Sequence, residues 1–253
     1  MIRKRIIPLF LLKGNRLVKG RRFGELSDVG DPLSQAMIYD AQGADEIILV
    51  DIDASREGRV VNTEVIDHMI RRCRLPIAAG GGIRNVKEAR RCFEAGADKI
   101  VVNTHAVLNP SLVGELAAEF GAQSVVVSLD VKKAADGDYA PYVFSGKQKV
   151  DVNFETVLKQ LISNGAGEVL LTVIDREGSL NGYDNALYQD VRSFIHVPLI
   201  ASGGAGCYDD LVSLFQQSDC DAAAVGKMLF LRDYDIVRIK AYLTGKKVPV
   251  RDA

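Results

Sequence analysis

The sequence predicts a single (β/α)8 barrel, and three observations carry that expectation. Eight short apolar runs, each able to be buried on both faces, alternate with eight amphipathic stretches along 253 residues. No linker-like stretch rich in Pro, Gly or Ser divides the chain. The segment PIAAGGGIR at 76–84 is written again 122 residues later as PLIASGGAG at 198–206. A doubly wound sheet would share the alternation but leave the repeat unexplained.

The predicted strands are 6–12, 46–51, 77–79, 99–102, 124–129, 168–172, 199–201 and 222–225. The helices between them are predicted over 32–42, 63–73, 86–95, 110–120, 154–164, 185–194, 208–216 and 233–244. Asp31, Asn62, Asn85 and Asn109 stand where N-caps belong. The repeat extends past the glycines. GADEIILVDIDASREG (43–58) aligns with GAGEVLLTVIDREGSL (165–180), setting Asp53 against Asp175, and ADKIVVNT (97–104) aligns with CDAAAVGK (220–227) after one insertion. Two half-barrels are therefore expected, at about 1–122 and 123–253.

Composition narrows the function. A formal net charge of −1 with no basic run argues against nucleic acid as the main partner. Four cysteines without CxxC spacing read as reduced thiols in a cytoplasmic protein. The apolar run at 6–12 is interrupted by Pro8 and followed by Lys13, so it reads as a first strand, not a signal peptide. No run approaches the ~18 apolar residues a membrane span needs. His68, His105 and His196 are scattered and are expected to be surface or partly packed side chains. No metal site or cofactor is expected.

In such a barrel, chemistry sits at the C-terminal strand ends. There the sequence sets Asp51, Asp53, Gly80, Gly81, Gly82, Asn103, Thr104, Asp130, Asp175, Ser202, Gly203, Gly204 and Lys227. Glycine followed by a helix N-terminus lets backbone N–H groups approach an anion. Two such loops at one mouth suggest an elongated ligand with a phosphate at each end. An insertion at 13–30, carrying Lys13, Arg16, Lys19, Arg21, Arg22 and Phe23, has the composition of a mobile lid, and another at 131–150 is expected to form a small hairpin. At the other end, Arg5, Glu46, Lys99 and Glu168 begin the first, second, fourth and sixth strands, where two positive and two negative charges can form a closed ring.

KRIIP (4–8), AGGGIR (79–84), GADKIVVNTHAV (96–107), DREGSLNGYD (175–184) and ASGG (201–204) together resemble the cyclase subunit of imidazole glycerol phosphate synthase, from end to end. The resemblance implies a duplicated (β/α)8 barrel. It implies a bisphosphorylated ribulosyl substrate, closed to an imidazole and split with ammonia from a separate glutaminase subunit. One phosphate would be held by Gly82, Asn103 and Thr104, the other by Gly178, Gly204, Gly226 and Lys227. Lys227 stands where the family typically has a small hydroxyl residue, and Glu177 where it has aspartate. Lys19 matches a lysine thought to close over the substrate. Arg5, Glu46, Lys99 and Glu168 match a gate for ammonia, and Asp98 matches a position facing the glutaminase.

One departure bears on function. The family's acid–base chemistry uses aspartates ending the first and fifth strands. Asp130 matches the second, but the first position is Leu11, fixed without a gap between 4–8 and 16–20. General acid–base catalysis is worth about 10²–10⁴-fold, so ordinary cyclisation is expected to be badly impaired. Asp51 and Asp53 are the candidate substitutes, although neither lies on the first strand. The missing aspartate favours a paralogue delivering ammonia to a sugar amidotransferase for amidino-modified lipopolysaccharide sugars. The retained phosphate loops favour the alternative, an authentic histidine-pathway cyclase. A related isomerase fits less well, because it also uses both aspartates and has no need of the charged ring.

Overall fold

The computed structural model describes residues 3–230 and 234–251. Its strands, in chain order, are β1 (Arg5–Lys13), β2 (Arg16–Arg21), β3 (Gly24–Gly30), β4 (Ile47–Asp51), β5 (Ile77–Gly80), β6 (Lys99–Val102), β7 (Val125–Lys133), β8 (Tyr139–Val143), β9 (Gln148–Lys149), β10 (Glu168–Val173), β11 (Leu199–Ser202) and β12 (Ala222–Val225). The helices are α1 (Pro32–Ala41), α2 (Thr63–Ile70), α3 (Val86–Glu94), α4 (Thr104–Leu108), α5 (Ser111–Phe120), α6 (Phe154–Ser163), α7 (Asn185–Arg192), α8 (Tyr208–Gln217) and α9 (Ile236–Gly245).

Eight of the strands run parallel in the order β10-β11-β12-β1-β4-β5-β6-β7, and β10 pairs with β7 to close the barrel. The expected fold class is therefore observed. Side chains alternate with the two-residue period of a strand. Ile6, Phe10 and Leu12 of β1 join the large layer under the helices, while Ile7, Leu9 and Leu11 point into the barrel. The interior cluster adds Ile48, Ala78, Val101, Val126, Leu170, Ile200, Ala222 and Ala224, so apolar side chains line the inside of the barrel.

Helix starts follow the sequence signals in three of the four expected places. Asp31, Asn62 and Asn85 accept the N–H of Ser34, Glu64 and Glu88, satisfying donors that a helix end leaves open. Asn109 does not cap. It lies between α4 and α5, and Pro110 precedes the first residue of α5. The five-residue α4 is too short to show a helical period in the sequence. The helix expected over 233–244 begins at Ile236, capped by Asp235; Asp233 lies outside the described residues.

The 13–30 insertion, whose composition suggested a lid, folds as a hairpin. β2 pairs antiparallel with β1 and β3 with β2, because Leu17 and Val18 are buried. The 131–150 insertion forms the expected hairpin, with β7 running on to pair with β8. Among the described residues no helix is long and apolar enough to cross a membrane.

Candidate functional site

The duplicated glycines turn out to admit neighbouring loops. Gly81 and Gly203 have φ of 123° and 94°, and a Cβ on either would stand 2.7 Å from the Asp51 carbonyl or 2.8 Å from that of Val173. Gly82 and Gly204 would place a Cβ 1.8 Å from the Arg59 carbonyl and 2.1 Å from that of Gly182. Only glycine permits both the positive φ and this approach. Each loop then borders a cavity at the C-terminal strand ends.

The first cavity, about 110 Å³, is bordered by Leu11, Gly82, Asn103, Thr104, Asp130 and Glu177. Leu11 enters from β1 and Asp130 from β7, half the barrel apart in strand order. Asp130 is buried and accepts from Asn103 Nδ2 at 2.8 Å. Desolvation pushes its carboxyl up to about 7, against the hydrogen bonds of Asn103 and Thr172; the nearby Glu177 adds to the rise. A carboxyl titrating there can exchange protons near neutrality. The two expected substitutes for a strand-one aspartate are committed elsewhere. Asp51 takes an ion pair from Arg59 and accepts the N–H of Asp53 at 3.1 Å, while Asp53 pairs with Arg56. Asp175 accepts the Lys133 N–H at 2.8 Å.

The second cavity, about 20 Å³, is bordered by Glu177, Gly178, Gly204, Gly226 and Lys227. Lys19 folds in from β2, and its ammonium donates to the Leu9 carbonyl. Burial pushes Lys19 down to about 8, opposed by the charge of Glu177. Glu177 is itself held above the usual carboxylate range by desolvation, opposed by Lys19 and Lys227. A Cβ on Gly178 would meet the Gly20 carbonyl at 2.1 Å, so this glycine also admits the hairpin.

The second hairpin covers the first cavity. The Phe144 N–H donates to Thr104 Oγ1 at 3.1 Å, and Ser145 Oγ donates to the Ile52 carbonyl at 2.5 Å. A Cβ on Gly146 would stand 2.8 Å from the Phe23 ring, so the two hairpins touch over the mouth. Of the residues expected to hold one phosphate, Asn103 and Thr104 thus already serve Asp130 and this hairpin. The sequence did not reveal the Asn103–Asp130 bond or the Phe144 and Ser145 contacts, since they join separate loops. His105 is half-buried, within the surface or partly packed placement expected of it, and also lines the first cavity, while His68 is exposed on α2.

At the barrel base the four charges meet. Arg5 donates to Glu46 at 2.9 Å and to Glu168, while Lys99 reaches Glu46 at 3.0 Å and Glu168 at 2.9 Å. All four share the inward phase of their strands, so they close the interior column from below. Desolvation raises Glu46, although Lys99 and Arg5 oppose it. Asp98 is exposed and accepts the Ile77 N–H at 2.9 Å, tying β5 to the turn before β6; Asp221 binds the Leu199 N–H in the same way.

Fold and site together define a (β/α)8 barrel with a desolvated carboxyl at its mouth and an ion-paired ring at its base. The model of the family described as "Histidine biosynthesis protein" matches residues 5–235. Over 251 residues, covering 99% of this chain and all of the relative, the sequence is 39% identical to "Imidazole glycerol phosphate synthase subunit HisF" of Alkaliphilus metalliredigens. The protein of that name from Bacillus subtilis is 40% identical over 252 residues, with 99% and 100% coverage. That of Helicobacter hepaticus is 41% identical over 248 residues, covering 98% of each chain. The chain belongs to the histidine-biosynthesis protein family, among the imidazole glycerol phosphate synthase HisF subunits.

Proposed function

We propose that this barrel receives ammonia at its base from a glutaminase subunit and passes it to a phosphorylated ligand site at the mouth, with ordinary imidazole-forming cyclisation impaired. The ring of Arg5, Glu46, Lys99 and Glu168 supports the first part. Ion-paired side chains on an apolar column can part to admit a neutral molecule while excluding ions, for which desolvation is costly. Asp98 lies on that same end, where such a partner would dock. In its narrowest form, the reading makes the chain a paralogue that delivers ammonia to an amidotransferase making amidino-modified sugars.

The observation that carries the second part is Leu11 facing Asp130 across the cavity while Asp51 and Asp53 are held in ion pairs. No proton can be exchanged at position 11. The test is ammonia-dependent turnover of the ribulosyl bisphosphate substrate by the isolated protein. Turnover too slow to detect in the wild type, appearing in Leu11→Asp, is expected. Efficient wild-type turnover that collapses in Asp130→Asn would overturn the reading.

One observation favours the alternative, an authentic cyclase. Glu177 brings a second desolvated carboxyl into the cavity of Asp130. Under that reading the two form the acid–base pair, and Glu177→Gln abolishes turnover as completely as Asp130→Asn.

A further inference from the structure

Most loops at the barrel base carry no cation. Those at 42–46, 95–98, 121–124, 164–167, 193–198 and 218–221 contain neither lysine nor arginine. Lys246 and Lys247 follow α9, and the loop at 71–76 reads Arg-Arg-Cys-Arg-Leu-Pro. Arg71 is held by Asp67 at 2.9 Å. Arg72 and Arg74 are exposed, and among the described residues neither guanidinium has an ion-pair or hydrogen-bond partner. Cations at the end of a helix complement its dipole, which accounts for Arg71 and Arg72 behind α2. Arg74 lies past that reach.

This loop is fixed beside the charged ring. The Ile47 N–H, next to Glu46, donates to the Pro76 carbonyl at 2.9 Å, and the Asp98 N–H, next to Lys99, donates to the Ile77 carbonyl at 2.9 Å. The turn before β6 packs on the end of α2, where a Cβ on Gly96 would stand 3.0 Å from Ile70. At the base end of the neighbouring helices α3 and α5, the half-buried rings of Phe93 and Phe120 lie 4.5 Å apart, with Arg90 over Phe120. Arginine and aromatic residues are what protein interfaces concentrate. A guanidinium can also take a carboxylate in two parallel hydrogen bonds.

We propose that Arg72 and Arg74 are specificity-determining residues for the glutaminase, and that the subunit docking on this end presents carboxylates to them. The inference rests on the reading of the base as the entrance for ammonia. A subunit that seals the entrance covers the ring, and the 71–76 loop borders it. Docking then gives both guanidinium groups the partners they lack in the free chain. A glutaminase with lysine or arginine at the facing positions is repelled.

The test is calorimetric titration of the barrel with each purified glutaminase subunit encoded in the same genome. Changing Arg72→Glu and Arg74→Glu together should weaken the tightest of these complexes by about tenfold or more at low salt. Arg72→Lys with Arg74→Lys should keep most of the affinity, because the charge stays. Lys159→Glu, an exposed change on α6, should leave binding within about twofold and so controls for net charge. Raising salt from about 50 mM to about 500 mM should weaken the wild type more than the double glutamate variant. Affinity unchanged in that variant, or equally salt-dependent in both proteins, would overturn the role of these arginines while leaving the glutaminase reading intact. Failure of every glutaminase to bind the wild type would overturn both.

Discussion

Leu11 and Asp130 face the same cavity from strands half a barrel apart, one an aliphatic side chain and the other a carboxyl titrating near 7. Leucine brings no charge to its side of that cavity. The carboxyl and its two hydrogen-bond partners, Asn103 and Thr172, come from β7, the end of β6 and β10, which are adjacent in the barrel.

Replacing Leu11 by aspartate should push Asp130 higher still. Two carboxyls sharing a low-dielectric site cannot both ionise easily. The expected outcome is a rise in the Asp130 titration midpoint, followed by carboxyl NMR shifts. An unchanged or lower midpoint would mean the two side chains do not share the cavity in solution.

Asp130 should also make the fold pH-sensitive. Its folded pKa is about 7 against 3.8 for the free group. Between these values the native state holds a proton the unfolded chain has lost, so this group's stabilisation is complete below the lower value and fades as pH rises toward 7. The slope is at most about 1.4 kcal/mol per pH unit. Asp130→Asn should therefore be more stable than wild type at pH 8, with the gain shrinking toward pH 4. Thermal denaturation across that range measures it.

Breaking the basal ring should cost more than losing a surface ion pair. Glu168→Ala leaves Arg5 and Lys99 facing Glu46 alone, with Arg5 and Glu46 largely buried. Removing one partner of a buried ion pair typically costs about 3–5 kcal/mol, and urea unfolding should show a loss of that order. Arg16→Ala, which removes an exposed pair with Asp28, should cost no more than about 1 kcal/mol.

Gly82→Ala and Gly204→Ala should each destabilise the barrel by more than the ~1–3 kcal/mol of backbone strain alone. Their Cβ atoms would overlap the Arg59 and Gly182 carbonyls. Gly14→Ala is the control: its φ is also positive, at 57°, but nothing lies within 4 Å of a Cβ there. Equal melting temperatures for all three variants would sink the close-approach account.

The sequence by itself determined the barrel and most of its element boundaries, because the two-residue and helical periods and the capping residues Asp31, Asn62 and Asn85 act locally. It also put Arg5, Glu46, Lys99 and Glu168 at the starts of their strands and so at one end of the barrel, whereas their shared inward phase was decided by the tertiary structure. Tertiary structure decided what each of these groups meets. Asn103 bonds to Asp130, the Thr104 hydroxyl to Phe144, and Lys19 is buried within the hairpin of the 13–30 insertion. Those contacts join residues tens of positions apart. Periodicity says which way a side chain points, whereas only barrel closure brings the loops above it together and sets the dielectric that moves a carboxyl to about 7.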